Sequence, residues 1–168
     1  PHSQPQSSLV GSMFECAHAD GDLVITDPQA WPFAGQNLAR GTRLTGVVGP
    51  ELDRVNLVVD TPRPMQVLAH SPVICRGEPD ASDVTWYSAS SGAGVFTAGT
   101  LRWVESMTST NPLVRRVITR ATERVLTQVA RPRAGARVVA RDNVADFYTA
   151  DGKLASTAPI TPGPSSTE

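Results

Sequence analysis

The stretch DVTWYSASSGAGVFTAGTLRW, residues 83–103, decides the fold, because it carries the clearest strand signals in the chain. Residues 83–88 are rich in β-branched and aromatic side chains, which favour a strand. The run Ser90-Ser91-Gly92 predicts a turn that leads into a second strand over residues 93–98. We therefore expect a β-hairpin here.

The second strand of this hairpin is bracketed by Gly94 and Gly99, which allow close approach of neighbouring backbone at a sheet end. Val95 and Phe96 follow one another and must point to opposite faces of the strand. Burial of both side chains requires a sheet that is covered on both faces. We expect this strand to be central and inaccessible to water.

Downstream of the hairpin, the sequence predicts one long amphipathic helix near residues 111–130. Thr110 or Asn111 suits the N-cap, Pro112 suits the first helical position, and Pro132 ends the helix. The residues expected to pack on a sheet recur at three- and four-residue steps and are Leu113, Val117, Ile118, Ala121 and Val125.

Five further segments are predicted as strands from their apolar and β-branched content: residues 8–15, 22–26, 43–48, 65–69 and 137–141. Gly49-Pro50 ends the third of them, because proline lacks the amide that would continue a ladder. Residues 1–7 and 151–168 are polar and rich in Pro, Ser and Thr, so we expect a frayed N-terminus and a disordered tail around a domain over residues 8–150.

Composition excludes several classes of function. The 168 residues include 15 Lys and Arg against 16 Asp and Glu, and this balance gives no electrostatic footprint for nucleic acid. No apolar run is long enough for membrane insertion. Two cysteines and three scattered histidines provide no zinc spacing, and Cys16 and Cys75 are either a disulfide or two buried thiols.

Residues 83–103 also lack the motifs of two common sites. They have no Gly-Lys-Ser/Thr, so they do not predict a phosphate loop. Ser91 is not in a Gly-x-Ser-x-Gly elbow, and no histidine follows His70, so the sequence does not predict a Ser/His/Asp triad.

Glu51 and Asp53 are the candidate metal ligands. In an extended segment the two carboxylates project to the same side, where they could bind a cation or share a proton. The alternative is a solvated turn in which Asp53 pairs with Arg54 or caps the next element.

Residues 83–103, followed by Asn111-Pro112 and the predicted helix, resemble the end of the C-terminal domain of the N,N-dimethylformamidase large (beta) subunit family. The resemblance rests on the spacing acidic-x-x-x-Tyr, then Gly-Ala-x-Val-Phe-x-x-Gly-Thr-Leu-x-Trp, which ends at Trp103. The segments LVGSMF, WPFAGQ and LTGVVGPELD, which start at residues 9, 31 and 44, are also similar to family stretches. The resemblance to this family covers roughly residues 8–130.

This resemblance implies an α/β fold, the C-terminal part of a class I glutamine amidotransferase-like sandwich around a mostly parallel sheet. It implies an iron-dependent amide hydrolase, whose hard ferric ion suits oxygen ligands, with Glu51 as first ligand candidate and Asp53 as second. Thr100 stands where amidotransferases carry a histidine, and Thr100 and Trp103 become candidate binding residues.

The family's first strands and expected tyrosine ligands have no counterpart here. We therefore expect a partial domain or subunit without independent activity and with no cofactor in the isolated chain. Another polypeptide would then complete the sheet. The alternative is an amide hydrolase component whose iron site is completed by that polypeptide. The sequence leaves the cellular compartment undecided.

Overall fold

The computed structural model describes residues 5–155. Within this range the chain forms, in order, α1 (Ser7–Val10), β1 (Met13–Ala17), β2 (Gly21–Val24), β3 (Arg43–Val48), β4 (Glu51–Arg54), β5 (Met65–Cys75), β6 (Glu78–Ser88), β7 (Gly94–Thr97), α2 (Arg102–Glu105), α3 (Pro112–Val129) and α4 (Ala134–Arg137). Short 3-10 helices lie at Ser106–Thr108 and Val144–Asp146.

The described strands form three small sheets, which pair β1 with β4, β2 with β3, and β5 with β6 and β7. All of these pairs are antiparallel, so the structure combines helices with antiparallel sheets. The mostly parallel sheet expected from the family resemblance is not found among residues 5–155. Within the three-stranded sheet the connections between β5, β6 and β7 are short, whereas a parallel pair needs a crossover of a dozen or more residues.

The largest sheet is a meander in which the long strands β5 and β6 are joined through Arg76 and Gly77, both with positive φ. The hairpin expected at residues 83–98 is present as β6 and β7. Its second strand, however, lies at the edge of the sheet and not at its centre. Val95 and Phe96 are accordingly half-buried, and the expectation of a central, water-excluded strand is wrong.

Two predicted strands have other structures. Residues 8–15 begin with the helical turn α1, which Gly11 ends with φ 82°, and only then enter β1. Residues 137–141 begin with the last residue of α4 and continue without joining a sheet. Backbone groups of this segment form hydrogen bonds with side chains of β6 and not with another strand. Trp86 Nε1 donates to the Val138 carbonyl, and Ser88 Oγ accepts from the Ala140 amide.

Helix α3 lies within the range predicted for the long amphipathic helix. Asn111 caps it through Oδ1, which accepts from the amides of Leu113 and Val114, and Pro112 occupies the first turn. The buried residues of its inner face are Val114, Val117, Ile118, Ala121 and Gln128. Leu113, expected in the core, is 37% exposed, and Val125 is only half-buried.

The core has two parts. The larger lies between the sheets and α3 and is centred on side chains such as Phe33, Leu52, Trp86 and Ile118. The smaller surrounds Tyr148. Cys16 of β1 and Cys75 of β5 form a disulfide with a Cα–Cα distance of 6.1 Å, which decides between the two alternatives left by the sequence.

The two chain ends are described only in part. Ser7, within the segment expected to fray, is buried, and its hydroxyl donates to the carbonyl of Asp60. Leu154 forms a bridge with Tyr148. Residues 1–4 and 156–168, where most of the predicted terminal segments lie, are outside the described residues. No helix within residues 5–155 combines the length and apolar character needed to cross a membrane.

Candidate functional site

Glu51 and Asp53 lie on β4, the strand that starts directly after the cis Gly49-Pro50 peptide. They are separated by the fully buried Leu52, so the strand alternation places both carboxylates on the opposite side from the core. The negative charge of Glu51 raises the pKa of Asp53, as expected for two neighbouring carboxylates. The structure therefore brings the two predicted ligand candidates together.

The carboxylate of Asp53 is partly removed from solvent. Its Oδ1 atom is buried and has no hydrogen-bond partner within the described residues. Burial raises the pKa of Asp53, and the nearby negative charge of Glu51 raises that pKa further. A carboxylate in this setting is poised to accept a proton or a cation.

The alternative salt bridge between Asp53 and Arg54 does not form. Arg54 points to the other side of β4, where its Nε atom lies 3.2 Å from Glu15 and 3.1 Å from Asp80. Its guanidinium also lies 5.7 Å from the centre of the Tyr148 ring. The carboxylate pair is thus left without a cationic partner among residues 5–155.

Thr100 adjoins this carboxylate strand. It forms a bridge with Leu52, while the preceding Gly99 carbonyl accepts from the Asp53 amide at 2.9 Å. The Thr100 hydroxyl accepts from the Gly49 amide at 2.9 Å and donates toward the Val47 carbonyl at 3.0 Å. The hydroxyl therefore holds the turn that leads from β3 into β4.

Trp103 lies in α2 and faces the core. Its indole Nε1 donates to the hydroxyl of Thr122 on α3 at 2.9 Å, and its ring contacts Phe96 edge-on. It is 5% exposed. The structure places Trp103 between β7 and α3, whereas Thr100 lies beside Asp53.

A buried polar cluster that the sequence did not single out lies on the neighbouring strands. Asp83 of β6 is fully buried, and its Oδ1 lies 2.7 Å from Nδ1 of His70. Its Oδ2 accepts from the Val55 amide at 2.9 Å and from the hydroxyl of Tyr148. Burial, and then the adjacent Asp83 carboxylate, hold the pKa of Tyr148 well above its usual range, so Tyr148 acts as a donor.

One signal in the sequence could have revealed this cluster. Asp83 is the only charged residue of the strand predicted over residues 83–88, and a buried carboxylate must find partners because unpaired burial is costly. Its bonds join β5, β6, the end of β4 and the C-terminal 3-10 helix. The cluster fixes the strand that carries Asp53.

Glu51 and Asp53 on β4 supply only two potential metal-ligating side chains. No group of three or more His, Cys, Asp or Glu side chains that could hold a metal ion occurs in the part of the chain that the structure describes. Two carboxylates supply oxygen ligands of the kind that hard cations prefer, but a closed coordination shell needs more.

Comparison with known protein families gives a match over most of the chain. The profile of a family described as N,N-dimethylformamidase beta subunit-like, C-terminal, matches residues 1–115. The matched range includes β4, Thr100 and Trp103, and it ends at the start of α3. No curated protein matches the chain.

Proposed function

The chain belongs to the N,N-dimethylformamidase beta subunit-like, C-terminal family, and on this basis we propose that it is a component of a dimethylformamidase-like amide hydrolase. In this proposal the chain has no amide hydrolysis activity by itself. Another polypeptide completes the site, and the sheets of this chain complete a larger α/β domain of amidotransferase-like fold.

The observation that carries the proposal is the unpartnered, buried Oδ1 atom of Asp53 beside Glu51. A buried polar atom without a partner is costly, and a cation or a donor from another chain would remove that cost. The two side chains fit the donor chemistry of a hard ion such as ferric iron. Two ligands do not make a complete site, which supports completion by another polypeptide.

In the assembled protein, Glu51 would be the first ligand and Asp53 the second. Bound iron would supply Lewis acidity toward an amide carbonyl and would activate water. The part of this chain is to hold both carboxylates in place. Two hydrogen bonds fix the backbone of β4 for that role. The Asp53 amide donates to the Gly99 carbonyl, and the Gly49 amide donates to the Thr100 hydroxyl.

A second candidate function is a non-catalytic assembly module, and the geometry of Thr100 favours it. Its hydroxyl is engaged by the amide of Gly49 and the carbonyl of Val47, so it is occupied in stabilising the fold. In that case the unpartnered oxygen of Asp53 would accept a hydrogen bond from a partner chain in place of a metal.

Metal analysis distinguishes these candidates. The chain is purified alone and after co-expression with the remaining part of a dimethylformamidase beta-subunit polypeptide, and iron content and amine release from N,N-dimethylformamide are measured. We expect neither iron nor amine release from the chain alone. With the partner, wild type should bind iron and Glu51→Ala should not, whereas Glu78→Ala, an exposed glutamate at the β5–β6 turn, should retain it.

Equal iron content in the Glu51→Ala and Glu78→Ala complexes would refute the ligand role. Iron-free complexes that still assemble would favour the assembly module. Amine release by the chain alone would refute the absence of independent activity.

A further inference from the structure

A groove of about 380 Å³ lies between α3 and the loop that carries Trp31. Its volume is in the range of small-molecule sites, which are about 300–1,000 Å³. Neither Glu51 nor Asp53 lines it. The groove is therefore distinct from the carboxylate pair on β4.

The helix side of the groove follows from residue spacing. Arg120, Arg124 and Gln128 are four residues apart, so these side chains share one face of α3, and Arg131 directly follows the C-cap residue Ala130. All four line the groove. The exposed Arg120 and Arg131 lie at its two ends, and the half-buried Arg124 lies between them.

The charge of the groove is strongly positive. Three guanidinium groups face one carboxylate, that of Glu123, which gives a net charge of +2. None of the salt bridges formed within residues 5–155 involves Arg120, Arg124 or Arg131.

The surrounding segment extends this positive charge. Residues 112–137 contain seven arginines and a single acidic residue, which leaves the remainder of the chain with 8 basic residues against 15 acidic ones. The net charge of the whole chain is near zero, but basic residues are concentrated in this segment and acidic residues in the rest of the chain. An anion near this face meets a positive local field although the chain as a whole carries -1.

Arg124, the central arginine of the groove, is held in place by the opposite loop. Nη1 of Arg124 donates to the carbonyls of Trp31, Pro32 and Ala34, which fixes the guanidinium against the opposite loop. The Trp31 ring in turn packs edge-on against Trp86 of the core at 5.0 Å. A preformed site loses little side-chain entropy when a ligand binds.

We propose that this groove binds a small organic dianion whose charge is carried by oxyanion groups, either a phosphomonoester or a dicarboxylate. Arginine forks recognise both groups through paired hydrogen bonds, and a charge of +2 matches two negative charges. The arginines of the groove lie outside residues 1–115, which the family profile matches, and neither Glu51 nor Asp53 lines the groove, so this proposal does not rest on the proposed hydrolase role.

Isothermal titration calorimetry with inorganic phosphate and with succinate tests the proposal on the full chain. The double variant Arg120→Gln/Arg131→Gln removes two charges from the groove. The matched control Arg115→Gln/Arg137→Gln removes two exposed charges from the same segment but outside the groove. We expect the first to weaken binding by about tenfold or more and the control by no more than about twofold.

Glu123→Gln provides a gain-of-affinity test, because it raises the groove charge to +3 and should tighten binding of the same anion. Quenching of tryptophan fluorescence by the anion should disappear in Trp31→Phe if the ligand occupies the groove. Tight binding of phosphate alone or of succinate alone identifies which oxyanion the site takes. Absence of binding by both anions, or equal weakening in the two double variants, would overturn the proposal.

Discussion

The hydroxyl of Tyr148 donates a hydrogen bond to the fully buried carboxylate of Asp83, which joins the C-terminal segment to β6. The same carboxylate accepts from the amide of Val55, directly after β4. A single buried acid thus ties together the end of the candidate site strand, the largest sheet and the last part of the described chain. Loss of these hydrogen bonds should therefore change the free energy of unfolding.

Tyr148→Phe should lower the free energy of unfolding by about 1–3 kcal/mol, because it removes a donor from a buried carboxylate. Urea denaturation at neutral pH measures this loss. The matched control is Tyr87→Phe, since Tyr87 donates to the neutral backbone carbonyl of Leu9. The control should lose only about 0.5–1.5 kcal/mol. A loss in Tyr148→Phe no larger than that in the control would contradict the role of the Asp83 cluster.

Asp53→Asn should stabilise the isolated chain at pH 7.5, by up to about 1 kcal/mol once solvent screening is allowed for. Burial and the Glu51 charge raise the pKa of Asp53 in the folded state, so folding favours the protonated acid. Wild-type stability from this group is fully present below the unfolded pKa of 3.8 and is lost as the pH rises through the folded pKa.

The stabilisation in Asp53→Asn should therefore shrink as the pH falls from 7.5 toward 4. Urea denaturation of both proteins across this range measures the difference. Asp60→Asn, a change at an exposed aspartate, serves as the control and should show no such trend. A destabilised Asp53→Asn at pH 7.5 would show that the ionised carboxylate has a stabilising partner.

Val117→Asp should cost about 3 kcal/mol or more, because Val117 is fully buried on the inner face of α3 and the new charge would have no partner. Leu126→Asp places the same side chain on α3 where the native residue is 62% exposed. Thermal unfolding followed by circular dichroism should show a large loss for the first variant and a small one for the second. Equal melting temperatures would contradict the packing of α3.

Reduction of the Cys16–Cys75 disulfide should destabilise the protein. The bridge spans 59 residues of sequence, and the chain-entropy argument for a loop of this length gives about 4 kcal/mol. Urea unfolding with and without dithiothreitol measures the effect. The double variant Cys16→Ala/Cys75→Ala, which lacks the bridge in both conditions, should be insensitive to the reductant. An unchanged wild-type midpoint in dithiothreitol would contradict a stabilising disulfide.

The candidate site shows which inferences residue spacing supports. The alternation of a strand placed Glu51 and Asp53 on one side, as β4 has them. The partners of Arg54 could not be predicted from the sequence, because Glu15 and Asp80 lie on other strands. The role of Asp83 was missed for the same reason, since its partners are 13, 28 and 65 residues away along the chain.

The sequence by itself determined the local elements: the capped helix that starts at Pro112, the end of β3 before Gly49-Pro50, and the turn between β6 and β7. Their signals are short-range, because capping, periodicity and turn chemistry involve residues a few positions apart. Only the tertiary structure decided the antiparallel pairing of β1 with β4, the edge position of β7 and the Cys16–Cys75 bridge. These features depend on which distant segments bury each other's apolar faces, and that choice is made by the packed core as a whole.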